Sequence, residues 1–221
     1  MQSTKKAVLF GASGFIGSYL LDELLNNSDY GQVSIVVRKN LNINHPKLKI
    51  LRGSFHSLPE LKENIGGDEI FITLGTTKKN TPDKNEYYRV DHDYPVLAAK
   101  IAKEKGAKSV FVVTAVGANA NSSIFYIKTK GETERDIIAL DFEHTHIFRP
   151  SMIMGNRKEN RPLEKVLIKM WAVVNRLLIG KQLTKYRGIN GKDIAKAMIN
   201  AAKSQSEKMK IYHWKEMNDM L

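Results

Sequence analysis

The chain has 221 residues, 42% of them hydrophobic, a formal net charge of +12 and no cysteine. That length fits one α/β domain with a sizeable core, and the missing thiol excludes disulfides, thiolate metal sites and a cysteine nucleophile. The lysines are scattered and no nucleic-acid-binding motif accompanies them, so the charge reads as a basic surface that draws in an anionic cofactor and substrate.

The polar start, Met1 to Lys6, runs straight into an apolar segment and carries no signal-peptide pattern, so a cytoplasmic protein is expected. Lys6–Phe10 reads as the first strand and Phe15–Leu25 as the first helix, with Ile16, Leu20, Leu21, Leu24 and Leu25 on one face. Gln32–Arg38 is a second strand, Leu48–Leu51 a short third, and Ser57–Asn64 a short helix. Glu69–Leu74 is strand four, Val90–Lys105 a helix, Ser109–Thr114 strand five, Ile124–Leu140 a helix, and Thr145–Phe148 strand six. Beyond Arg149-Pro150 the pattern changes. Residues 151–161 read as a charged loop, Leu163–Ile179 and Ile194–Ala202 as amphipathic helices, and Lys210–Trp214 as a last strand. The apolar stretch Met170–Ile179 is broken by Asn175 and Arg176, so no transmembrane segment is expected.

Alternating strands and helices with short links predict a doubly wound, mostly parallel sheet of the Rossmann type. The chain is then one NAD(P)-binding domain. Residues 1–150 form its dinucleotide-binding core, and 151–221 supply a small helical substrate or lid region and the C-terminal elements. Ligands of such sheets lie beyond the carboxyl ends of the strands, so those ends are where chemistry is sought.

The first strand end carries Gly11-Ala12-Ser13-Gly14-Phe15-Ile16-Gly17. A strand, a glycine turn and a helix N-terminus together make a seat for a pyrophosphate, because helix N-terminal N–H groups lack partners and carry partial positive charge. Gly11 permits the turn, Gly14 admits the phosphate and Gly17 lets helix pack on strand. About 20 residues on, where an acid would hold the ribose hydroxyls of NAD, stand Arg38 and Lys39. Two cations suit the 2′-phosphate of NADP, so NADP(H) is expected over NAD(H). After strand four, Leu74-Gly75-Thr76-Thr77 offers a glycine and two hydroxyls. Arg149, with Arg157 and Arg161, offers a clamp for an anion.

Tyr126 and Lys130 stand four apart on the helix after strand five, hence on one face. A tyrosine of pKa about 10 is a poor acid or base at neutral pH, and a neighbouring ammonium is expected to lower that value. Thr114 is the expected third hydroxyl that orients a substrate oxygen, with Ser122 and Ser123 as alternatives. His144 and His146 alternate along strand six and are expected on its surface, because a metal site needs further ligands.

These residues resemble the short-chain dehydrogenase/reductase superfamily in its extended or atypical division. The glycine motif 11–17 carries that likeness. Leu74-Gly75-Thr76-Thr77, Arg89-Val90-Asp91-His92-Asp93-Tyr94, Phe125-Tyr126 with Lys130-Gly131-Glu132, and Phe148-Arg149-Pro150 with Gly155, Arg157 and Arg161 are similar to the branch containing the Tat-interacting oxidoreductase. The resemblance implies an NAD(P) cofactor held by Gly11, Ser13, Gly14, Phe15, Ile16, Gly17, Arg38, Lys39, Leu74, Gly75, Thr76, Tyr126, Lys130 and Arg149. It also implies Tyr126 as proton donor or acceptor with Lys130 as its partner. One departure stands out: the family carries paired serines after strand five where this chain has Thr114-Ala115. The expected function is NADP(H)-dependent oxidation or reduction of a small carbonyl or alcohol. The alternative is an NADP(H)-binding sensor or regulatory protein, with a partner protein or a second copy of the chain as its contact.

Overall fold

The computed structural model describes residues 4–155 and 183–221. Seven parallel strands lie in the order β3-β2-β1-β4-β5-β6-β9. They are β1 (Lys5–Phe10), β2 (Tyr30–Val37), β3 (Leu48–Arg52), β4 (Glu69–Ile72), β5 (Ser109–Val113), β6 (His144–Phe148) and β9 (Met209–Tyr212). A separate two-residue pair, β7 (Ile153–Met154) with β8 (Ile189–Asn190), is also parallel. The expected doubly wound parallel sheet is what the chain forms.

Both faces of the sheet are covered, so beyond their first residues β1, β4 and β5 are apolar on both sides. Ala7 and Leu9 of β1 join one core; Val8 and Phe10 join the other. In β5, Phe111 and Val113 face the first core, and Val110 and Val112 the second. That is period-two geometry with apolar side chains on both sides, as a buried parallel sheet requires. The first core is closed by α1 (Phe15–Asn26), whose Ile16, Leu20, Leu21, Leu24 and Leu25 are buried as their spacing predicts. It packs on α6 (Gly191–Lys203), which presents Ile194, Ala195, Ala197, Met198, Ala201 and Ala202. The short α7 (Trp214–Asn218) adds Met217. The second core lies under α2 (Leu58–Leu61), α4 (Tyr94–Glu104) and α5 (Phe125–Ala139). Residues 191–221 are thus part of the central sandwich, with β9 pairing β6 as the seventh strand.

The helix expected at 90–105 begins earlier. α3 (Lys84–Tyr88) starts at Asp83, whose carboxylate accepts from Glu86 N–H at 2.8 Å, an N-cap that the reading from Val90 overlooked. A π-helical turn, Arg89–Asp93, then leads into α4. Pro95 accounts for the widening: it has no N–H for the carbonyl of Asp91, and its ring crowds that carbonyl. The freed Asp91 carbonyl accepts from Thr133 Oγ1 of α5 at 2.8 Å. This turn places Asp91 and its side chain against α5, which matters at the site. The helix expected at Leu163–Ile179 and the residues Arg157 and Arg161 lie outside the described residues.

His146 corrects one expectation. It is not a strand-surface residue but 1% exposed, stacked on Phe111 with ring centroids 4.6 Å apart and hydrogen-bonded through Nδ1 to Tyr212 Oη at 2.8 Å. Burial, with help from neighbouring cations, pushes its pKa down to about 4, so it is a neutral core side chain near pH 7. β9 lies beside it; the sequence reads a strand at 210–214, but its pairing with β6 is long-range and was not legible there.

Candidate functional site

A cleft of about 790 Å³ opens at the carboxyl ends of β1, β4 and β5. Its floor is the glycine turn. Gly11 sits at φ +92°, a backbone conformation costly for any side chain. A Cβ on Gly17 would stand 2.0 Å from the Gly11 carbonyl oxygen and 2.7 Å from Thr73 Oγ1. The close packing of α1 on β1 therefore requires glycine there. Thr73, which sequence reasoning missed, seals this corner from below: its hydroxyl donates to the Phe10 carbonyl at 3.1 Å. Gly14 is the N-cap of α1. Among the described residues no side chain caps that helix, and no acid stands in its first turn. Ser13, Gly14, Phe15 and Ile16 line the cleft. An anion there meets helix N–H groups and the positive end of the dipole.

Across the cleft, Leu74, Gly75, Thr76 and Thr77 form the wall after β4, with Asn80 beside them. A Cβ on Gly75 would stand 3.5 Å from Asp91 Oδ1 and 3.6 Å from Lys130 Nζ. The loop is held by Asp91, whose Oδ2 accepts from Thr76 N–H at 2.8 Å, and by a contact between Thr76 Oγ1 and Thr81 Oγ1 at 2.8 Å.

The N-terminal half of α5 supplies the reactive groups. Tyr126 is 41% exposed and faces the cleft, and its hydroxyl bonds to no described residue. Lys130, one turn on, lines the same cleft but is buried, and its Nζ lies 2.6 Å from Asp91 Oδ1. Asp91 is itself 1% exposed. The expected lowering of the Tyr126 pKa is overturned. Lys130 does pull it down, but loss of water around the phenol outweighs that pull and Asp91 adds to the rise, so the net shift is upward. The ammonium is paired with a carboxylate that the sequence reading had not placed beside it.

Thr114 and Arg149 are brought to the site's edge and spoken for. Thr114 is buried, and its hydroxyl donates to Glu134 Oε1 at 2.5 Å. Arg149 donates from Nε to the same oxygen at 2.9 Å and from Nη2 to Glu134 Oε2, a two-pronged grip that holds both carboxylate oxygens. Ser122 Oγ accepts from Ile124 N–H at 3.1 Å. With Thr73, Glu134 and Asp91 are residues whose roles here sequence reasoning missed. A signal for Glu134 existed: Tyr126, Lys130 and Glu134 recur every four residues on α5 and so share one face. Arg38 and Lys39 follow β2, are exposed, and pair with no described residue. They stand at the carboxyl end of the strand next to β1.

The residues present fit a dinucleotide. The uncapped α1 N-terminus suits its diphosphate, and the side-chain-free approach at Gly14 and Gly75 leaves room for it. The chain belongs to the NAD(P)H-binding family, whose model matches residues 11–205. Protein FMP52, mitochondrial, of Kluyveromyces lactis is 33% identical over 216 residues, 93% of each chain. Protein HTATIP2 of Rattus norvegicus is 31% identical over 164 residues, 72% of this chain and 67% of the relative, which bears out the branch that the motifs resemble. The Bordetella bronchiseptica enzyme WbmH, solved in complex with NAD+, superposes with a TM-score of 0.71 at 16% identity, covering 96% of this chain and 76% of that one. It attests the fold alone. The FMP52 relatives are named mitochondrial, and that overturns the cytoplasmic expectation. A polar N-terminus and an absence of cysteine do not separate the two compartments.

Proposed function

We propose that the protein is an NADP(H)-dependent oxidoreductase of small carbonyl compounds or alcohols, working at the mitochondrion as the names of its FMP52 relatives suggest. The observation that carries this reading is the placement of Tyr126 and Lys130, one helical turn apart, in the same cleft as the uncapped N-terminus of α1. Bound nicotinamide supplies or accepts hydride at the substrate carbon. Gly11, Ser13, Gly14, Phe15, Ile16 and Gly17 hold the diphosphate, and Leu74, Gly75 and Thr76 pack along the dinucleotide. Arg38 and Lys39 meet a 2′-phosphate, while Arg149 acts at one remove by fixing Glu134. Tyr126 gives its hydroxyl proton to the carbonyl oxygen as the carbon is reduced, or takes it back in reverse. Lys130 orients the ribose and steadies the charge left on Tyr126. Tyr126→Phe is expected to abolish NADPH consumption with aldehydes and ketones and to leave NADPH affinity unchanged. Undiminished turnover removes Tyr126 from the mechanism.

One observation favours a second reading, a cofactor-binding sensor or partner protein without turnover. The Thr114 proton is committed to Glu134, and Ala115 has no hydroxyl, so this pair sends no donor toward a substrate oxygen. A broad carbonyl screen with no NADPH consumption, alongside saturable NADPH binding, selects it.

A further inference from the structure

The buried carboxylate of Asp91 contacts two separate parts of the cleft. Its Oδ1 is 2.6 Å from Lys130 Nζ on α5, and its Oδ2 accepts from Thr76 N–H in the loop after β4 at 2.8 Å. The π-helical turn fixes it there, because the Asp91 carbonyl, released by Pro95, is tied to Thr133 of α5. Side chain and main chain of one residue therefore lock the dinucleotide loop to the helix bearing Tyr126 and Lys130.

We propose that Asp91 is a positioning residue that holds the Lys130 ammonium against itself, offsets part of that ammonium's pull on the Tyr126 proton, and so biases the site toward giving that proton to a carbonyl substrate. This deepens the oxidoreductase reading and rests on it for the substrate class. The groups facing Tyr126 are Lys130 on its own helix, Asp91 on the π-helical turn and Tyr87 on α3. Lys130 alone favours the phenolate. Asp91 disfavours it twice, by its own charge and by neutralising the ammonium. The burial that raises the Tyr126 pKa acts in the same direction. In the reductive step, hydride from the dihydronicotinamide forms the new C–H bond while the C=O π bond breaks. The carbonyl is reduced to an alkoxide and the dihydronicotinamide is oxidised. The Tyr126 O–H bond breaks to protonate the alkoxide, and the phenolate regains a proton from water. A site that starts each turnover as a phenol performs this step directly; alcohol oxidation must first lose that proton.

The proton on Tyr126 is read without turnover by ultraviolet difference titration of the whole protein against its Tyr126→Phe variant. Asp91→Asn keeps an acceptor for Thr76 N–H and removes the charge. It is expected to lower the Tyr126 midpoint by about one pH unit, the lower end of what a close charge does to a neighbour, with NADPH affinity changed less than about threefold. The alkaline limb of carbonyl reduction moves down with the midpoint. Because Asp91→Asn leaves Lys130 buried without its anion, the same substitution is also read in a Lys130→Gln background, where no charge is stranded and the midpoint again falls. A midpoint that stays put in both backgrounds overturns the proposal, whereas a purely structural role lowers turnover and stability without moving it. A midpoint that falls in a protein reducing no carbonyl supports Asp91 as a group that offsets Lys130 at Tyr126 and overturns the assignment of this site to carbonyl reduction.

Discussion

The two ends of the sheet each bury a carboxylate and treat it oppositely. At the amino end, the first residues of four strands, Lys5, Tyr30, Glu69 and Ser109, meet with Gln205 from the turn before β9. Glu69, 2% exposed, accepts from Lys5 Nζ at 2.6 Å, Tyr30 Oη at 2.5 Å and Gln205 Nε2 at 2.7 Å. Ser109 donates to the amide oxygen of Gln205, and Lys5 also reaches the Ala202 carbonyl. Burial, then Glu69, drives the Tyr30 pKa far above its ordinary value, so Tyr30 is a permanent donor. The chain supplies its own partners here, and nothing is left for a ligand. At the carboxyl end, Asp91 is matched by Lys130 and Thr76, yet among the described residues the Tyr126 hydroxyl has no partner and no side chain caps α1. A closed polar network rigidifies; an open one binds. Neighbouring strands carry both, which is why burial of charge by itself does not mark a site.

The sharpest break of this contrast is at Gly17. A methyl placed there is 2.0 Å from a main-chain oxygen that has nowhere to go. Gly17→Ala is expected to cost about 3 kcal/mol or more, at or beyond the top of the usual overpacking range. It should abolish NADPH binding, and thermal unfolding with and without nucleotide checks both. Glu69→Ala comes next. It strips three donors, the buried Tyr30 and the half-buried Lys5 and Gln205, of their acceptor at the other end of the sheet and is expected to destabilise by about 3 kcal/mol, with NADPH affinity per folded molecule unchanged. A large loss of affinity in the folded fraction means the two ends are coupled, and the contrast fails.

Between these ends lies His146, whose burial holds its pKa near 4 against an unfolded value of about 6.5. The folded protein thus binds this proton less readily than the unfolded chain. Stability from this source is full above about pH 6.5 and is lost as pH falls toward 4, amounting to about 2 kcal/mol by pH 5. His146→Gln is expected to flatten that part of the acid limb in urea denaturation at stepped pH. An unchanged limb assigns the acid sensitivity elsewhere.

Much of the carboxyl end was legible in the sequence because its demands are local. A turn at φ +92° and a helix packed against a strand each need glycine at one position, and the spacing 11–14–17 records that. Tyr126 and Lys130 share a face by helical arithmetic. The partners were illegible because they are long-range. Asp91 meets Lys130 across 39 positions, Thr114 meets Glu134 across 20, and Glu69 meets Gln205 across 136. The sequence therefore disclosed part of the cleft's lining, while the fold supplied the partners and decided which groups remain free. That difference turned Thr114 and Arg149 from expected ligand contacts into members of a buried clamp on Glu134.

The smallest expected effect tests the one part of the open end that is still solvent. Arg38 and Lys39 are exposed and unpaired with any described residue, so their substitution removes no folded contact. Arg38→Asp is expected to leave the melting temperature within a degree or so, since isolated surface changes rarely exceed about 0.5 kcal/mol. What changes is the nucleotide. A guanidinium on a 2′-phosphate makes charge-assisted bonds worth about 1.5–3 kcal/mol, so NADPH affinity should fall about tenfold or more. NADH, lacking that phosphate, should be unaffected or gain from the new carboxylate at its ribose. Titration of both nucleotides against both proteins measures the ratio directly. If NADPH and NADH bind the unaltered chain equally, Arg38 and Lys39 are ordinary surface charges.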